Sequence, residues 1–452
     1  MINRINKLFN DTDFSEILKG SSVSLILRLF GLIIGYFLTL IIANLFGAEG
    51  LGDYVLAIIV LRFFTLISKL GLDTTSIRFI SEYAFKDKWK SIINFRIQTI
   101  YIVSVSAIAS SLLMFFYADL ISEIIKIDSS FIKLNAFFVL PMSFFMINYQ
   151  SLRGLKKILE FSFYYRVSQS LFSIIVILVL YQFFQDDSVP IYAYLISILI
   201  ICILSFISFR YSFLKKSSGI ISAEEKIRSY KSLFQISLPL MFAQSVQFIM
   251  AWTDKLMLAA IDTPEVNSGI RTNSEEVGIY HTAFKLSMFA AVALMSVNSI
   301  AAPKFAEMYG NNNIEGLKKI VNQSTKIIFW TTIPLVFIFF LIPDFLLGLF
   351  GDEFRVGVFA FILLSVGRLV SSFCGSVGGV LQMTGNQNYF ASILMIGAIM
   401  NVILNIFLIP LHGINGAAIS SMISLTFWNI AMVIVVKKKF GFYSFYIPFL
   451  KI

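Results

Sequence analysis

"SLILRLFGLIIGYFLTLIIANLFG", residues 24–47, is the stretch on which the fold turns. It is long enough and apolar enough to cross a bilayer as a helix. Yet it carries one charge, Arg28, well inside its first half. The rest of the chain has the same character. Of its 452 residues, 58% are hydrophobic and only 14% are charged; mean hydropathy is +0.83. Soluble domains are nearer half apolar and about a quarter charged. The apolar excess runs the whole length, so the chain reads as a polytopic membrane protein without a separate soluble domain. Cys202 and Cys374 both sit in apolar runs, which argues against a disulfide framework or a zinc site. No metal or cofactor site is expected. The opening "MINRINKLFNDTDFSEILKG" is polar and leads into a span too long for a signal h-region, so no cleavable signal is expected.

Windows of about 20 apolar residues predict twelve spans, at 20–44, 53–72, 95–117, 131–152, 161–184, 190–213, 234–261, 277–301, 321–343, 356–381, 388–410 and 415–437. "TTSIRFISEYAFKDKWKSI" (74–92) mixes aromatic and basic residues at helical spacing and is expected to lie in the membrane surface. "SIAAPKFAEMYGNNNIEGLKKI" (299–320) takes the matching place after the eighth span. Loops alternate in charge. Basic ones hold Arg78, Lys86, Lys88, Lys90 and Arg96, then Arg153, Lys156 and Lys157, and later Lys215, Lys216, Lys226, Arg228 and Lys231. The intervening loops, including "QDDSVP" and "IDTPEVNSGIRTNSEE", are acidic or neutral. The positive-inside rule then puts both termini in the cytoplasm. The net charge of +10 marks the cytoplasmic face and calls for no nucleic-acid partner.

The chain also repeats itself weakly. "LGDYVLA" (51–57) aligns with "VGIYHTA" (277–283), and "IRFISEY" (77–83) with "PKFAEMY" (303–309), both at an offset of 226 residues. Gly52 and Gly278, Tyr54 and Tyr280, Phe79 and Phe305, and Tyr83 and Tyr309 coincide. The expected organisation is a cytoplasmic segment 1–19, a six-helix lobe 20–213, a linker 214–233, a second six-helix lobe 234–437 and a cytoplasmic tail 438–452. With six spans each, the repeats are parallel, and substrate is expected between them.

Charges inside a bilayer usually face a cavity or one another. Lys69, Arg153 and Arg166 lie near span ends and are expected to snorkel. Arg62 and Arg368 are roughly 10–12 residues from either interface, about 15–18 Å deep, too deep for that; each is readable as a cavity residue or as a guanidinium held by backbone carbonyls between helices. Arg28 and Lys285 are about 12 Å deep, where snorkelling and a cavity role are both open. The first six spans show no acid to neutralise Arg28 and Arg62. Unpaired cations of this kind suit an anion, and the planar guanidinium suits phosphate. Arg28, Arg62, Lys285 and Arg368 are therefore the candidate anion-binding residues. Asp254, beside Lys255, is open to two readings: pairing with a cation on another span, or binding Na⁺ or H⁺. His281 is a third titratable group there, readable as a packed, hydrogen-bonded residue or as one titrating near neutral pH.

The inward arginine of the first span, "GAEGLGDYVLA", "GLDTTSIRFISEY", "DKLMLAA", "EEVGIYHTAFKLS" and "GNQN" together resemble the oligosaccharide flippases of the polysaccharide transport family. That family is grouped with the multidrug/oligosaccharidyl-lipid/polysaccharide exporters. The resemblance spans about residues 15 to 440. It implies an all-α protein of twelve helices in two parallel six-helix repeats, forming a V-shaped two-lobed transporter with alternating access. It implies an inner-membrane flippase that moves undecaprenyl-diphosphate-linked oligosaccharide repeat units to the periplasmic leaflet for O-antigen, capsule or exopolysaccharide. Its partners would be that lipid, the surrounding membrane lipids and the polysaccharide polymerase machinery. Lipid II flippases of the superfamily use central arginines on the first, second and eighth helices. Arg28 and Arg62 match two of these, while Lys285 stands at the third. Lipid II flippases usually add two carboxy-terminal spans beyond the twelve counted here, which weighs against that substrate. A cation-coupled multidrug exporter of the same fold is the other alternative. An enzyme is not expected: the longest loop, Asp262 to Glu276, is too short for a polymerase, and His281 lacks a carboxylate on its face for acyl transfer.

Overall fold

A computed structural model of the chain describes residues 12–217, 229–446 and 448, with side chains from residue 26 onward in those ranges. Most of the expected amino-terminal segment, most of the 214–233 linker and the end of the tail lie outside the described residues. Among the described residues every regular element is helical. Among those residues nine helices are long and apolar enough to cross a membrane. They become ten if the pair Ser129–Ala136 and Val139–Gly154, bent by 52°, is one span. This is a multi-pass membrane protein.

Two helices are far too long for one crossing. Gln387–Phe440 has 54 residues, about 80 Å at 1.5 Å per residue, against an apolar core of about 30 Å. Each long helix is broken by a glycine in a conformation other residues avoid. Gly413 has φ 51°; Gly47, inside Thr12–Ser68, has φ 68°. A break leaves backbone N–H groups without intrahelical acceptors, and carboxylates sit at both breaks. Ala48 N–H donates to Glu353 Oε1 at 2.6 Å. A Cβ on Gly413 would come within 3.1 Å of Glu265 Oε2 and 3.5 Å of Glu276 Oε1. Glu276, expected in an exposed acidic loop, is fully buried. It accepts from Thr263 Oγ1 at 2.9 Å and lies 3.5 Å from Arg271.

The chain divides into two compact units. One holds the described residues up to Ile42 with Leu56–Ile249; the other holds Ala43–Val55 with Met250 onward. In the first, "TTSIRFISEY" lies within a helix, Leu72–Phe85, whose buried residues Leu72, Ser76, Phe79 and Tyr83 fall on one face. That face packs on Val139–Gly154 and on Trp89–Phe116. The latter helix starts at Trp89 and carries Arg96, a residue counted above with the basic loop. In the second unit, "SIAAPKFAEMYG" is not a separate surface segment but the end of the helix Ala291–Gly310. Its Phe305 anchors a core with Leu317, Val321, Cys374, Leu381 and Val436. Phe79 and Phe305, equivalent under the 226-residue offset, are both fully buried.

Candidate functional site: charges inside the two units

In the first unit one buried acid is present among the described residues, and the sequence reading missed it. Asp73 follows the second span and is 3% exposed. It pairs at 2.8 Å with Lys69, four residues earlier, across the turn at Leu70 and Gly71 that separates two helices. Gln244 completes the set: its Oε1 accepts from Lys69 Nζ at 3.3 Å, and its Nε2 donates to Thr74 Oγ1 at 2.7 Å. Lys69 is therefore a buried, neutralised charge and does not snorkel. Once Lys69 is paired, four arginines besides the exposed Arg210 stand in the membrane-length helices of this unit among the described residues. Arg28 and Arg62 are half-buried, and Arg62 Nε donates to Tyr194 Oη at 3.4 Å. Arg96 is buried, donates to Asn148 Oδ1 at 2.9 Å and lies 3.8 Å over the Phe209 ring. Arg166 belongs to a π-helical turn, Tyr164–Ser168, and covers the Tyr165 ring at 5.1 Å. Its Nε is buried without a hydrogen-bond partner. Arg153 is exposed.

The second unit holds the other candidates. Asp254 accepts from three uncharged groups: Asn405 Nδ2 at 2.8 Å, Tyr280 Oη at 2.6 Å and Ser421 Oγ. These donors come from helices far apart in sequence, so residue spacing gave no hint of them. The pair Asn401 and Asn405, four apart in the apolar "MNVILNIF", was the one legible signal. Asn405 Oδ1 is buried without a donor. A cavity of ≈ 30 Å³ lined by Thr253, Asn401, Ser421 and Ser424 adjoins the cluster, enough for one water or a small cation.

Lys255, 2% exposed, lies among aromatic faces. Its Nζ lies 4.2 Å from the Phe284 ring centre, 5.0 Å from Trp252 and 5.8 Å from Tyr280. Arg368 meets the same Phe284 ring at 5.5 Å, and its Nη2 lies 2.9 Å from Met288 Sδ. Met288 opens a 3₁₀ turn, Met288–Ala290, that interrupts the helical run from Asn273 to Gly310. His281 Nδ1 is buried without a partner. His281 and Lys285, one turn apart, share a helix face; Lys285 is half-buried. Thus Asp254, Lys255, His281, Lys285 and Arg368 belong to the second unit, and Arg28 and Arg62 to the first. A larger cavity of ≈ 400 Å³, lined by Leu134, Phe138, Leu180, Phe184 and Tyr192 among others, holds none of these charges.

Comparison with known proteins fits this geometry. A solved inward-facing multidrug resistance MATE family transporter of the MOP superfamily superposes with a TM-score of 0.70 at 15% identity, over 92% of this chain and 98% of that one. Lipid II flippase MurJ in an inward closed conformation gives 0.70 at 17%, over 92% and 88%. At these identities the likeness concerns the fold. The probable low-salt glycan biosynthesis flippase Agl15 of Haloferax volcanii is 25% identical over 208 residues, 45% of this chain and 42% of that protein. The chain thus matches less than half the length of that relative. The MatE family model matches residues 266–407. The model "Polysaccharide biosynthesis protein" matches residues 17–309, well over half of the sequence, and the chain belongs to that family.

Proposed function

We propose that the chain is a flippase that carries undecaprenyl-diphosphate-linked oligosaccharide repeat units from the cytoplasmic to the outer leaflet of the cytoplasmic membrane. The observation that carries this reading is the charge balance of the first unit. Among the described residues its one buried acid, Asp73, is paired with Lys69, while Arg28, Arg96 and Arg166 stand in membrane-length helices. Cations kept in a low-dielectric setting without buried carboxylates to match them suit an anionic cargo, and guanidinium forks suit a diphosphate. A cation-exchanging drug exporter would want a free acid there. The second unit supplies further cations in Lys255, Lys285 and Arg368.

Twelve spans fit this reading. The two glycine breaks each divide a long helix, and the bent pair supplies one more span. The lobes would be 20–213 and 234–437, with both termini cytoplasmic and the polymerase machinery as a working partner. Asp254 is the coupling site in this reading. Its carboxylate, the Ser421 hydroxyl and the unpartnered Asn405 Oδ1 are oxygen donors of the kind that hold Na⁺ or trade a proton. The test is complementation of a strain lacking its own repeat-unit flippase, using a panel of repeat units. Restored surface polysaccharide for at least one unit is expected. Failure with every unit, from a protein shown to be inserted and folded, would contradict the reading.

A further inference from the structure

Arg153 and Arg166 sit at the end of the first unit that bears the Leu155–Lys157 turn, where a column of rings and guanidiniums has no assigned role. Arg153 covers the Phe161 ring at 5.1 Å. Phe161 stacks on Tyr165 at 5.5 Å and 10°, and Arg166 covers Tyr165 at 5.1 Å. Tyr149 braces both rings, at 6.1 Å from Phe161 and 5.5 Å from Tyr165. Tyr165 and Arg166 are presented by the π-helical turn Tyr164–Ser168, a distortion that costs regular hydrogen bonding and recurs at functional sites. Against it lies Gly31, where an added Cβ would come within 2.5 Å of Arg166 O. That contact brings Arg28, one turn earlier on the same helix, toward the column. Arg28 and Arg153 both lie within electrostatic reach of Arg166. Among the described residues none of the three is in an ion pair. Glu160, the nearest acid in sequence, faces Lys157 at 3.8 Å.

Rings fix a guanidinium without neutralising it. They leave its N–H groups free for a second partner, and the like charges repel until an anion arrives. We propose that Arg153 and Arg166, with Arg28 behind them, form a site for the phosphate headgroup of a membrane lipid at this end of the first unit. The site is a loading station distinct from the deeper Arg62. Two lipids carry that chemistry: the diphosphate of the transported carrier and an anionic phospholipid. The carrier assignment rests on the flippase reading; the site itself does not.

The test is binding of farnesyl diphosphate to the purified full chain in nanodiscs of neutral lipid, with phosphatidylglycerol as competitor. Each lost guanidinium should weaken binding by about tenfold or more, the equivalent of one charge-assisted hydrogen bond. Arg153→Gln and Arg166→Gln should therefore both bind weakly, with partial recovery in Arg166→Lys. Arg153 is exposed, so its variant keeps the fold, and an unchanged melting temperature checks both. Resistance to phosphatidylglycerol assigns the site to the carrier. Displacement by it assigns the same site to bulk lipid and leaves the flippase reading untouched. Wild-type affinity for both ligands in folded Arg153→Gln and Arg166→Gln would overturn the site. If Arg62→Gln alone then lost binding, the flippase reading would stand without this loading station.

Discussion

Lys69 and Asp73 exchange a full charge in a buried place, and each makes sense only with the other. Removing one partner of a buried pair leaves an uncompensated charge, at a cost of about 3–5 kcal/mol. Lys69→Met should therefore deplete folded protein severely. Lys69→Met combined with Asp73→Leu should recover most of that loss, as read by thermal unfolding in detergent. Asp254 makes the opposite case. Its donors, Asn405, Tyr280 and Ser421, are uncharged, so Asp254→Asn breaks no salt bridge. The variant should reach the membrane at near wild-type abundance and fail to couple transport. Equal loss of abundance and transport would assign Asp254 a structural role instead. How far these residues were legible depends on what reads them. Arg28, Arg62, Asp254 and Arg368 stand out in sequence because a charge in an apolar run is conspicuous. Asp73, Arg96 and Glu276 did not, because each lies at a span end where hydropathy falls and an ordinary loop residue would look the same. Only packing shows that they are buried.

At the scale of elements, two glycines explain part of the internal repeat. A Cβ on Gly52 would meet Ser274 O at 1.8 Å, and one on Gly278 would meet Ala48 O at 2.1 Å. Ala48 and Ser274 stand at the same 226-residue offset as Gly52 and Gly278, so the contact is reciprocal. Small residues let the two backbones approach, the usual device for helix pairs in membranes. Gly278→Ala cannot be relieved by moving a side chain, because the obstacle is backbone. It should cost about 1–3 kcal/mol and lower the melting temperature. Gly310→Ala, with nothing within 4 Å of its Cβ, should leave it unchanged. The existence and order of the membrane-length helices were readable from apolar runs and the charged loops between them. Less readable were the junctions. The Ser129–Ala136 and Val139–Gly154 bend, the π turn at Tyr164–Ser168 and the 3₁₀ turn at Met288–Ala290 are set by contacts, and no local residue pattern announces them.

For the whole molecule, orientation and cargo are the open properties, and each has a direct readout. In a background lacking Cys202 and Cys374, a cysteine at Ser268 should react with an impermeant thiol reagent from outside intact cells. One at Ser218 should react only after permeabilisation, because the basic loops stay inside. The reverse pattern would invert the direction of transport. Cargo is tested most directly at Arg62 of the first unit, expected from its span to lie near mid-bilayer. Arg62→Lys keeps the charge and loses the fork, so partial transport should survive. Arg62→Gln loses the charge, and about one to two orders of magnitude in substrate affinity with it. Arg62→Glu reverses the field and should abolish transport. The measurement is surface polysaccharide in a complemented flippase-deficient strain, normalised to membrane-inserted protein. The expected order is wild type, lysine, glutamine, glutamate. Polysaccharide at the wild-type level from Arg62→Gln would contradict an anionic cargo held by this arginine.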